Sequence, residues 1–259
     1  MTLEYKGTLI NYSDSGKGNA IVLLHGFLEN ISIWKPFIET FSKKNRLICI
    51  DLLGHGKTGC LGYVHSMELM AEAVEAVLKH LRIRRSTMIG HSMGGYVALA
   101  FAEKNPDALK GLCLLNSTAV SDTPEKQINR DRAIVAVKQN HKTFIKIGIS
   151  NLFRPKNRII FKTQIKELTK EALQTPLQGI VAALEGMKIR DNREALLHFT
   201  PFKKMMIISK NDPVLDYKSL LEQAEGTEVK IIELPDGHMS FIENESEVLH
   251  EIMYFIENK

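Results

Sequence analysis

Short apolar runs and longer amphipathic ones take turns along most of this chain. Apolar and polar positions alternate loosely over residues 2 to 12 until "SDSGKGN" interrupts them, which predicts an opening antiparallel hairpin or meander. "AIVLLHG" (20–26) predicts a buried strand and Trp34 to Ser42 a short helix. "RLICID" (46–51) predicts the next strand and Ser66 to Leu81 an amphipathic helix. "STMIGH" (86–91), Met93 to Lys104 and "LKGLCLLNS" (109–117) read as strand, helix and strand. Strands this short and apolar, separated by helices, call for right-handed crossovers and a parallel sheet covered on both faces.

Beyond Ser117 the rhythm changes. Residues 119–199 carry no strand pattern but five helical stretches, roughly 123–141, 143–152, 156–173, 176–188 and 192–198. Ile134, Val137, His141 and Phe144 recur at helical spacing and mark one face. The earlier order then resumes with "KMMIISK" (204–210), a short helix, "EVKIIEL" (228–234) and a last helix through Ile256. This predicts an α/β core built from residues 1–118 and 200–259, with a helical cap, 119–199, inserted into it.

Charge sharpens that division. The formal net charge of the 259 residues is only +4, but residues 119–199 hold 15 Lys and Arg against 8 Asp and Glu. A basic cap on a slightly acidic body suits an anionic small-molecule substrate, although a solvated helical surface is the simpler account. No basic run is interleaved with aromatics, so nucleic acid is not an expected partner. No apolar run exceeds strand length and no leader pattern opens the chain, so neither a membrane nor secretion is expected. Cys49, Cys60 and Cys113 are odd in number and widely spaced. They suggest neither a disulfide framework nor a metal site and fit a cytoplasmic location. Nothing in the pattern speaks to oligomeric state.

The candidate chemistry centres on Gly90-His91-Ser92-Met93-Gly94, where a strand runs straight into a helix. A one-residue bend there forces positive φ on Ser92 and requires small neighbours two positions away, which Gly90 and Gly94 supply. A serine kept in a strained position implies a nucleophile, and a serine hydroxyl needs a base that an acid orients. Open α/β sheets place such groups beyond the carboxyl ends of their strands. Of nine histidines, His238 in "LPDGHMSF" follows the last strand in a glycine-containing loop. Asp212 in "ISKNDPVL" follows the strand before it, whereas Asp216 is placed to cap the next helix. The backbone N–H groups of Met93 and of Phe27, in "HGF", are the expected donors to an oxyanion. His25, Tyr96, Arg132 and His141 are candidates for substrate contact, and Arg130 with Arg132 in "EKQINRDRA" would suit a carboxylate.

"LLHGF", "IDLLGHGKTG", "IGHSMGG", "NDPV" and "GHMSFIENE" together resemble the α/β-hydrolase superfamily over nearly the whole core. The resemblance implies a mostly parallel eight-stranded sheet with helices on both faces and a helical lid. It also implies a Ser92–Asp212–His238 triad, no cofactor, and a structural role for the loop of Asp51, Gly54, His55 and Gly56. Ser209 and Lys210 stand where that family often has glycine. Serine at the bend argues against the dehalogenase and epoxide-hydrolase branches, which carry aspartate there. The expected activity is hydrolysis of a small carboxylic ester or lactone through an acyl-enzyme. A carbon–carbon bond hydrolase or a lyase like the menaquinone-pathway synthase comes second, though that synthase branch usually has arginine where this chain has Tyr96. A receptor on the same fold, binding without turnover, is the reading from another class.

Overall fold

In the computed structural model, which describes residues 1–258, eight strands form one sheet. They are β1 (Thr2–Tyr5), β2 (Thr8–Gly16), β3 (Asn19–Leu24), β4 (Asn45–Ile50), β5 (Ser86–His91), β6 (Leu109–Leu115), β7 (Lys203–Ser209) and β8 (Lys230–Leu234). Their order across the sheet is β1-β2-β4-β3-β5-β6-β7-β8. β1 and β2 form the expected antiparallel hairpin and β2 pairs antiparallel with β4. All other pairings are parallel. β2 runs on through "SDSG", so the break expected there falls later, at Lys17 and Gly18.

The sheet is buried on both sides, which is why its central strands are apolar at every position rather than at alternate ones. Val22 and Leu24 of β3 join the core on one face, Ile21 and Leu23 the core on the other. Helix α1 (Lys35–Phe41) covers the second face with Phe37 and Phe41. Helices α2 (Met67–His80) and α3 (Met93–Lys104) cover the first. Ser66 starts α2 by accepting the Leu69 N–H at 3.2 Å, and Met67, Met70, Ala71, Val74, Val77 and Leu78 form its buried stripe. Burial of its Met, Val and Leu side chains stabilises by about 1.5–3 kcal/mol each.

Between β6 and β7 the chain leaves the sheet to build the cap. Its helices are α4 (Pro124–Leu152), α5 (Lys162–Ala172), α6 (Leu177–Lys188) and α7 (Ala195–Phe199). The first two helices expected from the sequence are the two halves of α4, which break at Asn140, non-helical at φ −154°, ψ 82°. Its side-chain oxygen accepts the Thr143 N–H at 3.1 Å, which caps the second half. Ile134 and Val137 are therefore buried before the kink, while His141, just after it, is only half-buried. Helix α6 lies backbone to backbone on core loops: a Cβ on Gly179 would stand 2.2 Å from the Gly54 carbonyl oxygen, and one on Gly186 1.8 Å from that of His65. The His65 N–H also donates to the Ala182 carbonyl at 2.9 Å.

After β7 come α8 (Tyr217–Ala224), capped by Asp216 as expected, then α9 (Ser240–Glu243) and α10 (Glu245–Glu257). No helix among the described residues is long and apolar enough to cross a membrane. In register, Leu24 of β3 stands beside Gly90 of β5, and His91 beside Leu115 of β6. Three strand ends thus lie side by side under the cap.

Candidate active site

Ser92 joins β5 to α3 with φ 48° and ψ −115°, a conformation that side-chain-bearing residues rarely adopt. The glycines around it allow strand and helix to meet. A Cβ on Gly90 would stand 2.4 Å from the Gly94 carbonyl oxygen, and one on Gly94 2.2 Å from that of Leu24. The bend is pinned by its own backbone: the Ser92 N–H donates to the Leu115 carbonyl at 3.0 Å, and the Ser117 hydroxyl donates to the Ser92 carbonyl at 2.7 Å. Ser92 is left at the amino end of α3, where unpaired N–H groups favour negative charge.

His238 and Asp212 meet as the loops after β8 and β7 converge. His238 Nδ1 lies 2.8 Å from Asp212 Oδ2, and both side chains are buried. The other carboxylate oxygen, Oδ1, accepts the N–H groups of Val214 at 2.8 Å and Leu215 at 3.0 Å. Burial alone would push the Asp212 carboxyl up. The His238 charge and hydrogen bond and these two N–H groups outweigh it and hold the group below its ordinary value. A carboxylate so held orients the imidazole by accepting from Nδ1, which leaves Nε2 free to act as a base.

The free side of that ring faces a cavity of about 120 Å³ whose lining includes Phe27, Glu29, Ser92, Tyr96, Arg130 and His238. The N–H groups of Phe27 and Met93 have no protein acceptor among the described residues. The Ser92 hydroxyl likewise makes no hydrogen bond to a described protein group.

The structure separates the other sequence candidates. Tyr96 lines the cavity, with the Arg190 guanidinium stacked 4.1 Å from its ring centre. His25 does not line it. Its ring is fully buried, Nε2 accepting the Leu52 N–H at 2.9 Å and Nδ1 donating to the Gly26 carbonyl at 2.7 Å. Burial lowers its pKa, so it is a neutral brace between two strand-end loops. Arg132 is exposed and bonded to Asn129 at 3.1 Å, and His141 lies outside the cavity lining. Arg130, on the inward face of α4, lines the cavity in their place.

Two contributors escaped the sequence reading. Asn116, at positive φ of 43° beyond β6, donates to Asp212 Oδ2 at 3.2 Å and to the Ser209 hydroxyl at 2.8 Å, and accepts from the Ser240 hydroxyl. Glu29 and His91 form a second buried carboxylate–imidazole pair directly beneath the cavity. An asparagine directly after a strand was the only available signal for the first. The second pair joins residues far apart in sequence and left no local signal. The loop of Asp51 is structural: Asp51 accepts the N–H groups of Ile31 and Lys57 and the Asn11 amide.

A family model described as "alpha/beta hydrolase fold" matches residues 19–245. A thermophilic esterase from Thermogutta terrifontis superposes with a TM-score of 0.91 at 28% identity, over 98% of this chain and 96% of that one. The dihydrolipoyllysine-residue acetyltransferase component of an acetoin cleaving system, from Pseudomonas putida, is 25% identical over 98% of this chain and 68% of its own length. The 3-oxoadipate enol-lactonase 2 of Acinetobacter baylyi is 23% identical over 97% of this chain and 94% of its own. Some other curated relatives are matched only in part: a Mycobacterium tuberculosis protein is 34% identical over 107 residues, 41% of this chain and 31% of its own length.

Proposed function

The chain belongs to the alpha/beta hydrolase fold family, and we propose that within it this protein is a serine hydrolase of small carboxylic esters or lactones. The observation that carries the reading is the 2.8 Å contact between His238 and Asp212, with the His238 ring and the positive-φ Ser92 lining one cavity. In this reading Ser92 Oγ attacks the substrate carbonyl while His238 Nε2 takes its proton. Asp212 holds the ring in the tautomer that leaves Nε2 basic and stabilises the imidazolium that forms. The carbonyl oxygen, now negative, is met by the N–H groups of Phe27 and Met93 at the amino end of α3. His238 then protonates the leaving alcohol, and water deprotonated by the same ring releases the acid from Ser92.

The esterase likeness at 28% identity supports this reaction class. The test is steady turnover of p-nitrophenyl butyrate together with fluorophosphonate labelling, in wild type and Ser92→Ala. Turnover and labelling that both vanish in Ser92→Ala support the proposal. Labelling of Ser92 without turnover of any ester or lactone in a broad panel would favour a receptor instead.

A further inference from the structure

A second chamber adjoins the cavity at Ser92 under the same cap. The two share Tyr96, Arg130 and Val214, so Arg130 stands between them. The second chamber measures about 220 Å³, and its charged lining is Lys126, Arg130 and Arg190 against the single carboxylate of Asp122. Asp122 lies 2.7 Å from the Nε of Arg130 and 2.7 Å from Nη1 of Arg190. Burial pushes its carboxyl up, but the two guanidinium groups outweigh that and hold it ionised, below its ordinary value. Three cations and one anion leave the chamber two positive charges in excess.

The donors in this chamber are also incompletely used. Arg190 is 97% buried by its side chain, with Nη1 on the Met187 carbonyl and Nη2 on the Val120 carbonyl, yet its buried Nε–H has no partner among the described residues. Arg130 gives its Nε–H to Asp122, and neither of its Nη groups has an acceptor among the described residues. An unmatched buried donor costs free energy unless something completes it, and an excess of cations in a partly dry space costs more.

We propose that this chamber is a carboxylate subsite: the substrate of the serine site carries a free carboxylate, away from the bond that is cleaved, held by the two Nη groups of Arg130 with Lys126 beside it. The inference rests on the reading of Ser92 as nucleophile, which sets the reacting carbonyl in the first cavity. A planar carboxylate matches the fork that Arg130 has left after Asp122 takes its Nε–H. Arg190 holds Asp122 from the other side, and the aspartate thereby aims Arg130. Arg132, exposed and turned to Asn129, takes no part.

The test compares matched probes. The p-nitrophenyl monoester of glutaric acid is set against p-nitrophenyl pentanoate, and 4-carboxyphenyl butyrate against phenyl butyrate. Affinities for the same four compounds are measured by calorimetry on Ser92→Ala. In at least one pair the charged member is favoured about tenfold or more in both kcat/KM and affinity, and added salt shrinks that ratio. Arg130→Gln lowers the charged-to-neutral ratio by about 10- to 100-fold, the range for losing hydrogen bonds to a charged group. Lys126→Gln, at a half-buried position less exposed to folding failure, lowers it by a smaller factor. Arg132→Gln leaves the ratio where it was. Equal handling of charged and neutral members in both pairs would overturn the subsite even if both are hydrolysed. Charge-selective, Arg130-dependent binding to Ser92→Ala, with no turnover by wild type, would keep the subsite and sink the hydrolase reading.

Discussion

His91 Nδ1 lies 2.9 Å from Glu29 Oε2, and its Nε2 lies 3.1 Å from the carbonyl oxygen of His238. The same glutamate oxygen accepts the Gly26 N–H at 2.5 Å. Both ring nitrogens therefore face acceptors, and only the imidazolium satisfies both. This buried ion pair ties the loop of Phe27 to the backbone of His238, so one contact braces both groups that the proposed mechanism uses.

Removing one member of such a pair strands the other. Glu29→Gln is expected to lower stability in urea by about 3–5 kcal/mol at neutral pH. Burial by itself lowers the His91 pKa, but the charge and hydrogen bond of Glu29 overcome this and raise it above 6.5. The stability that this shift contributes is full below pH 6.5 and is lost as pH rises through the elevated value. The variant should lack that decline, so the gap in Tm between wild type and Glu29→Gln narrows with rising pH. A gap that never narrows as pH rises above 6.5, up to the alkaline unfolding of the wild type, would contradict the ion pair.

At the other carboxylate the expectation concerns rate. Asp212→Asn keeps the oxygen that takes the Val214 and Leu215 N–H groups, but it sets an amide donor against His238. Turnover should fall by about 10⁴-fold as the ring takes the wrong tautomer. The folded pKa of Asp212 lies below 3.8, so its contribution to stability is present above pH 3.8 and disappears as pH falls through the lowered value. Acid titration of Tm should show a shallower loss in the asparagine variant.

Ser92→Gly separates strain from chemistry. Glycine relieves the positive φ of 48°, so urea unfolding should show a gain of about 1 kcal/mol while ester turnover disappears. A variant of unchanged or lower stability would show that the bend carries no strain.

Gly94→Ala should do the opposite. Its new Cβ would meet the Leu24 carbonyl oxygen at 2.2 Å, a backbone atom that cannot swing aside, so a loss of about 3 kcal/mol is expected. Gly148→Ala on α4 is the contrast: its Cβ meets only Leu28 Cδ1, at 3.9 Å, and helix propensity should raise stability by about 0.8 kcal/mol. Urea midpoints at constant slope measure both.

The central strands were legible because a strand buried on both faces shows an unbroken apolar run, as in Ile21 to Leu24 and Met205 to Ile208. The approach of His238 to Asp212 was legible from position, since both follow consecutive strands that end on the same edge. Arg130 and Arg132 could not be told apart in the same way. Two residues on one helix point to different sides, and which side faces the core depends on how α4 docks before its kink at Asn140. His25 misled for a related reason: its strand-end position suited a site residue, but its ring turns inward to the Leu52 N–H. The Glu29–His91 pair depends on a meeting across 62 positions, which no local pattern records.

The glycine seams between α6 and the loops of Gly54 and His65 bear on how a reactant gets in. Two polypeptide backbones in direct touch, with a hydrogen bond at 2.9 Å between them, cannot part without opening a gap that water fills poorly. Entry along that flank would have to break main-chain contact as well as side-chain packing.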